Sequence, residues 1–284
     1  MPFLHTPRGR FFYRQAPGYE PTLVFLHGNL GTSAWWRPVL DLLPDGWRGL
    51  AFDARGSGHS DGDDRLDRYA ISAQVQDMAA CLAALAVGRV HLVAHSTSTP
   101  VAVEYTLAHP DQVAALVLVG PTPAGGVQTP AEAYPLLEGL PHDPEMLARA
   151  IHASAPSLDP ESAPFRQLVQ EAGETAPLAL VAGARSLDAW QPAGRLHQLT
   201  LPVLLIRGEH DLMLSEQEAE QTLLAIPGAN NLEIFHGVGH SPMLENPQGF
   251  VHSLVSFVAE DWEQYEHVRQ QAGDHPALPP DAPG

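Results

Sequence analysis

Short apolar runs alternate along this chain with stretches of helical period. Thr22 to Leu26, Gly49 to Phe52, Val90 to His95 and Ala114 to Val119 each read as a buried strand. Between them, Ser33 to Leu43 reads as a helix opened by Thr32 or Ser33. Ser72 to Ala86 places Val75, Met78, Ala79, Leu82 and Leu85 at helical spacing, with Ser72 as its cap. A further helix runs to about Ala108, and Phe11 to Tyr13 reads as an antiparallel edge strand. This alternation predicts an α/β fold with a doubly wound, mostly parallel sheet.

The rhythm stops at Gly120. From Pro121 to about Thr200 no strand-like run occurs, and helical stretches fall near 130–139, 143–154, 161–172 and 176–190. Alternation resumes with the run Leu201 to Ile206, helices near 215–226 and 247–258, and a last strand at Leu232 to Phe235. The expected organisation is a core domain of residues 1–120 and 201–262, a helical insertion at 121–200, and a tail at 263–284. Gln270 to Gly284 holds four prolines and two glycines, so the end of that tail is expected to be disordered.

Composition narrows the functions available. At 284 residues the chain can bury one large core with an insertion. No apolar run approaches the roughly 20 residues that span a bilayer, and since no basic segment leads into an apolar one at Met1 to His5, no signal peptide is expected. A cytoplasmic location is the default expectation. Fifteen basic against 33 acidic residues give a net charge of −18, which repels nucleic acid and anionic membrane surfaces. All fifteen basic residues are arginine, which excludes Schiff-base chemistry, a Ser–Lys dyad and a lysine-bearing phosphate loop. Cys81 is the only cysteine and reads as buried filler.

Candidate chemistry centres on Ser96, which ends the strand Val90–His95 and leads into a helix. A serine at a sharp strand-to-helix turn presents its hydroxyl clear of the backbone, beside N–H groups at a positive helix end. Pro100 suits the first helical turn, where a missing N–H costs nothing. Ser98 is a rival nucleophile. Downstream, Asp211 follows one strand and His240 sits on a glycine-bearing loop after the next, giving the order nucleophile, acid, histidine. Glu209 and Asp188 are alternative acids. The i, i+4 pairs His91/His95 and His236/His240 do not make a zinc helix: the first pair is on a strand, and the second flanks two glycines without a glutamate. No metal site is expected.

With these residues in this order, the chain from about Arg10 to Glu260 resembles the α/β-hydrolase-fold serine hydrolases. The elbow departs from Gly-x-Ser-x-Gly in having Ala94 and Ser98 where glycines stand, but small-x-Ser-x-small is kept. The resemblance implies a catalytic triad of Ser96, Asp211 and His240. It also implies an oxyanion hole from the backbone N–H groups of Thr97 and of Asn29, in the loop His27-Gly28-Asn29-Leu30-Gly31. The family places a cap where residues 121–200 fall. Leu30, Tyr134, Phe165 and Trp190 are candidate pocket residues, and the last three could equally be cap core. Asp53-Ala54-Arg55-Gly56-Ser57-Gly58-His59-Ser60 lacks the third glycine and following acid of a dinucleotide fingerprint. It reads as a structural turn with Arg55 in ion pairs, so no cofactor is implied.

The expected activity is hydrolysis of a small-molecule carboxylic ester or lactone through an acyl-serine. Dehalogenases and epoxide hydrolases of this fold need an aspartate where Ser96 stands. The Asn29-Leu30-Gly31-Thr32 loop is similar to those of enol-lactonases and of the acid-releasing lyases of menaquinone synthesis. A cofactor-free lyase or carbon–carbon bond hydrolase is therefore the alternative, and a non-hydrolytic ligand-binding protein a further one.

Overall fold

The computed structural model describes residues 2–192 and 194–260. Eight strands form one sheet: β1 (Phe3–Thr6), β2 (Gly9–Ala16), β3 (Thr22–Leu26), β4 (Arg48–Phe52), β5 (Val90–His95), β6 (Val113–Val119), β7 (Val203–Gly208) and β8 (Ala229–Phe235). Their order is β1-β2-β4-β3-β5-β6-β7-β8; β1 with β2 and β2 with β4 pair antiparallel, and the rest are parallel. The helices are α1 (Arg37–Leu40), α2 (Ile71–Ala84), α3 (Thr99–Ala108), α4 (Ala133–Gly139), α5 (Pro144–Ser154), α6 (Ala163–Gly173), α7 (Pro177–Ala189), α8 (Glu216–Leu224), α9 (Pro242–Glu245) and α10 (Pro247–Val258).

The central strands carry apolar residues on both faces, as in Leu23–Leu26, Leu92–Ala94 and Val113–Val119, because both sheet faces are covered. On one face Val24, Leu92 and Leu116 pack with Met78 and Leu82 of α2 and Val101 and Tyr105 of α3. On the other, Phe25, Val93 and Val117 pack with Trp35, Trp36, Val39 of α1 and Phe250 of α10. This is the doubly wound, mostly parallel sheet that the alternation predicts. The four helices α4–α7 lie between β6 and β7, and Leu147, Ile151, Phe165, Leu168 and Leu180 are buried among them.

Three local expectations need correction. Phe11–Tyr13 belongs to a longer strand that is not the edge, because β1 pairs outside it from Phe3↔Phe12 to Thr6↔Gly9. Ser72 does not cap α2; the helix begins at Ile71, whose N–H is satisfied by Ser186 Oγ of α7 at 2.8 Å. Ser33–Leu43 is a 3₁₀ turn (Ser33–Trp36) followed by α1, with Pro38 in the first turn of the new helix. Thr32 does cap the 3₁₀ turn, accepting from Ala34 N. The expected tail at 263–284 lies outside the described residues.

Parallel pairing sends the C-terminal ends of β3 to β8 to one edge of the sheet. The loops carrying Asn29, Asp53, Ser96, Gly120, Asp211 and His240 therefore converge there, where open α/β sheets hold their ligands.

Candidate active site

At the end of β5 the backbone turns at Ser96, whose φ is +53°, through a 3₁₀ turn (Ser96–Ser98) into α3. A left-handed backbone at a residue with a β-carbon is strained. Neighbouring chains must also come close: a β-carbon at Gly28 would stand 2.8 Å from both Ser96 Cβ and His95 Nδ1, so only glycine fits there. Ala94, fully buried, occupies one small position of the elbow. Ser98 occupies the other, and its buried hydroxyl lies 3.0 Å from the Leu26 carbonyl and 2.9 Å from that of His95. It ties β3 to the elbow.

His240 and Asp211 meet in the interior. Asp211 Oδ2 accepts from His240 Nδ1 at 2.8 Å, with side-chain exposures of 0% and 4%. Asp211 Oδ1 accepts from the backbone N–H groups of Met213 (2.8 Å) and Leu214 (3.1 Å), so the carboxylate cannot rotate away. In the tautomer whose Nδ1 donates to Asp211, Nε2 is the nitrogen left to accept a proton. It is buried and has no hydrogen-bond partner. The Ser96 hydroxyl does not complete that bond in this structure; catalytic hydrogen bonds of unliganded sites are commonly open in this way.

Two further histidines brace the site. His95 Nε2 donates to the His240 carbonyl at 3.0 Å, and the two rings lie 4.8 Å apart. His27 Nδ1 donates to the Gly28 carbonyl at 2.8 Å, and its Nε2 accepts from Ala54 N at 2.9 Å, fastening the loop after β3 to the loop after β4. Burial drives both rings below the usual imidazole value, well below for His95, where the neighbouring His240 adds to the effect. Both are neutral structural groups. Asp53 completes the brace by accepting from Ser33 N (2.7 Å) and His59 N (2.9 Å).

The loop after β3 carries Asn29 and, next to it, Leu30 with φ +59°. Asn29, Leu30 and Thr97 share the wall of one cavity of about 110 Å³, which adjoins Ser96 through Thr97 without having Ser96 or His240 in its wall. The Thr97 N–H is among the donors that a helix start leaves without an internal acceptor. The cavity runs from these residues between α2, α3 and α7, past Met78, Val101, Leu180 and Leu187. Cys81 also lines it; burial pushes this thiol up to about 12, so it carries no thiolate at neutral pH.

Of the other expected pocket residues, none lies in this wall. Phe165 is buried in the core of α4–α7, the Tyr134 hydroxyl donates to Asp188, and Trp190 Nε1 donates to Glu104 at 3.0 Å. Aromatic side chains in a four-helix insertion are recruited first to hold it together and to fasten it to the core. The rival acids are also occupied elsewhere. Asp188 accepts from Thr129 N and Tyr134, and Glu209 from Gly237 N. Arg55 is ion-paired as expected, with Asp77 at 2.8 Å.

Sequence reasoning overlooked Gly120. Its φ is +50°, and a β-carbon there would stand 2.6 Å from His240 Cε1. A glycine directly after an apolar strand, on the edge where the functional loops gather, was the available signal. It also overlooked the contact of the His240 loop with the helical insertion. Ser241 Oγ and Ser154 Oγ lie 2.8 Å apart, and Glu245 accepts from Gly239 N and Ser157 N at 2.8 and 3.0 Å.

The family model described as alpha/beta hydrolase fold matches residues 21–155. A pimeloyl-[acyl-carrier protein] methyl ester esterase of Vibrio vulnificus (strain YJ016) is 27% identical over 257 residues, covering 87% of this chain and 97% of the relative. Among solved structures, an esterase from Exiguobacterium antarcticum superposes with a TM-score of 0.79 at 22% identity, over 91% of this chain and 99% of that one. The enol-lactonase from Burkholderia xenovorans LB400 gives 0.78 at 20% identity, over 91% and 100%. At these identities the structural likeness establishes the fold.

Proposed function

We propose that this chain, which has the α/β-hydrolase fold, is a serine hydrolase cleaving a carboxylic ester or lactone of a small molecule. One observation carries the reading: the buried Asp211–His240 pair leaves Nε2 without a hydrogen-bond partner, on a loop whose His240 carbonyl accepts from His95, the residue before the strained Ser96. A nucleophile, a base and an orienting acid held on three loops of one sheet edge are what acyl transfer requires.

As Ser96 Oγ attacks the carbonyl carbon, its proton passes to His240 Nε2, and Asp211 stabilises the imidazolium without itself taking the proton. The carbonyl oxygen becomes an oxyanion, for which the Thr97 and Asn29 N–H groups are the assigned donors. Collapse expels the alcohol, which takes the proton from Nε2, and leaves an acyl-serine. Water then repeats the sequence and releases the acid. Nucleophile, base and oxyanion donors all come from the chain, so this route needs no cofactor. The helices α4–α7 act in this reading as a cap over the site.

The test is acid release from a panel of small esters and lactones by the wild type and by Ser96→Ala. Loss of at least 10³-fold in the variant supports the reading. Retained activity in Ser96→Ala contradicts it, and elimination without ester cleavage would indicate the cofactor-free lyase.

A further inference from the structure

Resting on the hydrolase reading, we infer that the cavity beside Asn29 and Thr97 selects an uncharged substrate with an apolar arm, and that Gly183 sets how long that arm can be. Leu180, Gly183 and Leu187 fall at i, i+3 and i+7 of α7, and all three line the cavity. Gly183 is weakly helix-forming, yet neither backbone nor packing demands it. Its φ is not in the left-handed region, and a β-carbon there meets no atom within 4 Å. What a side chain at 183 would take up is the cavity between the two leucines.

The helix cannot easily move aside to make room. Ala176 N donates to the Gly56 carbonyl at 2.7 Å before its first turn, and Ser186 Oγ accepts from Ile71 N at 2.8 Å near its end. A larger residue at 183 therefore shortens the cavity instead of displacing its wall.

The wall also has no cation to offer an anion. Its charged residues are Asp53, Arg55 and Asp77. Arg55 is held in two contacts by Asp77, Nε to Oδ2 at 2.8 Å and Nη2 to Oδ1 at 2.9 Å, and Nη2 also donates to the Arg8 carbonyl. His27, also in the wall, is neutral. A carboxylate in this cavity would lose its hydration and meet Asp53 and an Asp77 already paired with Arg55 and Arg8, with no unpaired cation in the wall to receive it. The net charge of −18 adds a long-range repulsion of the same sign.

A matched pair of probes isolates the point. Methyl hexanoate and monomethyl adipate have the same six-carbon acyl chain and differ only in a terminal methyl or carboxylate; methyl acetate is the short reference. For the wild type, kcat/KM for methyl hexanoate should exceed that for monomethyl adipate by at least tenfold. In Gly183→Leu the ratio of kcat/KM for hexanoate to that for acetate should fall by tenfold or more. Equal or better use of the adipate monoester, or an unchanged hexanoate-to-acetate ratio in the variant, overturns the inference. Failure of the hydrolase reading is a separate result, namely no ester turned over by the wild type. The same two ratios are then read from dissociation constants measured calorimetrically on Ser96→Ala with and without Gly183→Leu.

Discussion

The imidazole of His240 rests against the bare α-carbon of Gly120, where a β-carbon would stand 2.6 Å from Cε1 and 2.8 Å from Nδ1. The glycine's φ of +50° makes any side chain doubly unwelcome. Gly120→Ala should displace the ring by about the overlap. A shift of order 1 Å in a reacting group can cost about 10²-fold in rate. A loss of that size in kcat with a folded protein is the expected outcome, read by steady-state kinetics beside circular dichroism. Unchanged kcat would mean that the ring is not placed by this contact.

Asp211→Asn should lower kcat by about 10³ to 10⁴-fold, because an amide in place of Oδ2 no longer selects the tautomer or stabilises the charged ring. The fold should survive, since the amide oxygen can still accept from Met213 N and Leu214 N. Kinetics with a thermal melt separate the two effects. Near-normal turnover would move the acid's role to another residue.

In the proposed mechanism His95 acts through His240 as a positioning residue. Its Nε2–H holds the His240 carbonyl. His95→Ala should reduce kcat by about 10 to 10²-fold with little change in KM. His95→Gln, whose amide can donate to the same carbonyl, should recover part of the loss. Equal losses in both variants, or a loss confined to KM, would contradict the role.

How far the chain could be read in advance follows from how local each signal is. Strands β3 and β5 and helix α10 are bounded by sequence as they are in space, because apolar runs and Asn246-Pro247 act within a few residues. The Asp211–His240 pair was legible for the same reason: each residue follows a strand, and parallel strands end on one edge. Edge strand β1 was not, because its evidence is its pairing with β2. Nor was the N-terminus of α2, whose acceptor Ser186 lies 115 positions away. Tyr134, Phe165 and Trp190 illustrate a further gap: sequence shows that aromatic residues occur in an insertion, while only packing decides which face they take.

Stability should fall as the medium is acidified from pH 7 to 5. His27, His91 and His95 are held neutral in the fold, His91 down to about 4 by burial with Arg89 nearby. In the unfolded chain they protonate near 6.5. Below that value the unfolded state binds protons that the folded state refuses, so the free energy of unfolding falls with pH. The slope approaches about 1.4 kcal/mol per pH unit for each such group. Urea unfolding at pH 7, 6 and 5 measures it, and a flat or rising stability would contradict the buried neutral assignment.

Gly183→Ala should raise stability by about 0.4 to 1 kcal/mol, since the added methyl meets no neighbour and reduces the freedom of the unfolded chain. Thermal denaturation reads this directly. A drop in the melting temperature would show that the glycine is required by the fold rather than left open for a ligand.

The central claim is that Ser96 is a nucleophile activated by His240. A fluorophosphonate probe followed by intact-mass and peptide mapping tests it without knowledge of the substrate. A single adduct on Ser96, abolished in His240→Ala while the variant remains folded, is the result this account predicts. An adduct on Ser98 or elsewhere, or none on the folded wild type, would contradict it.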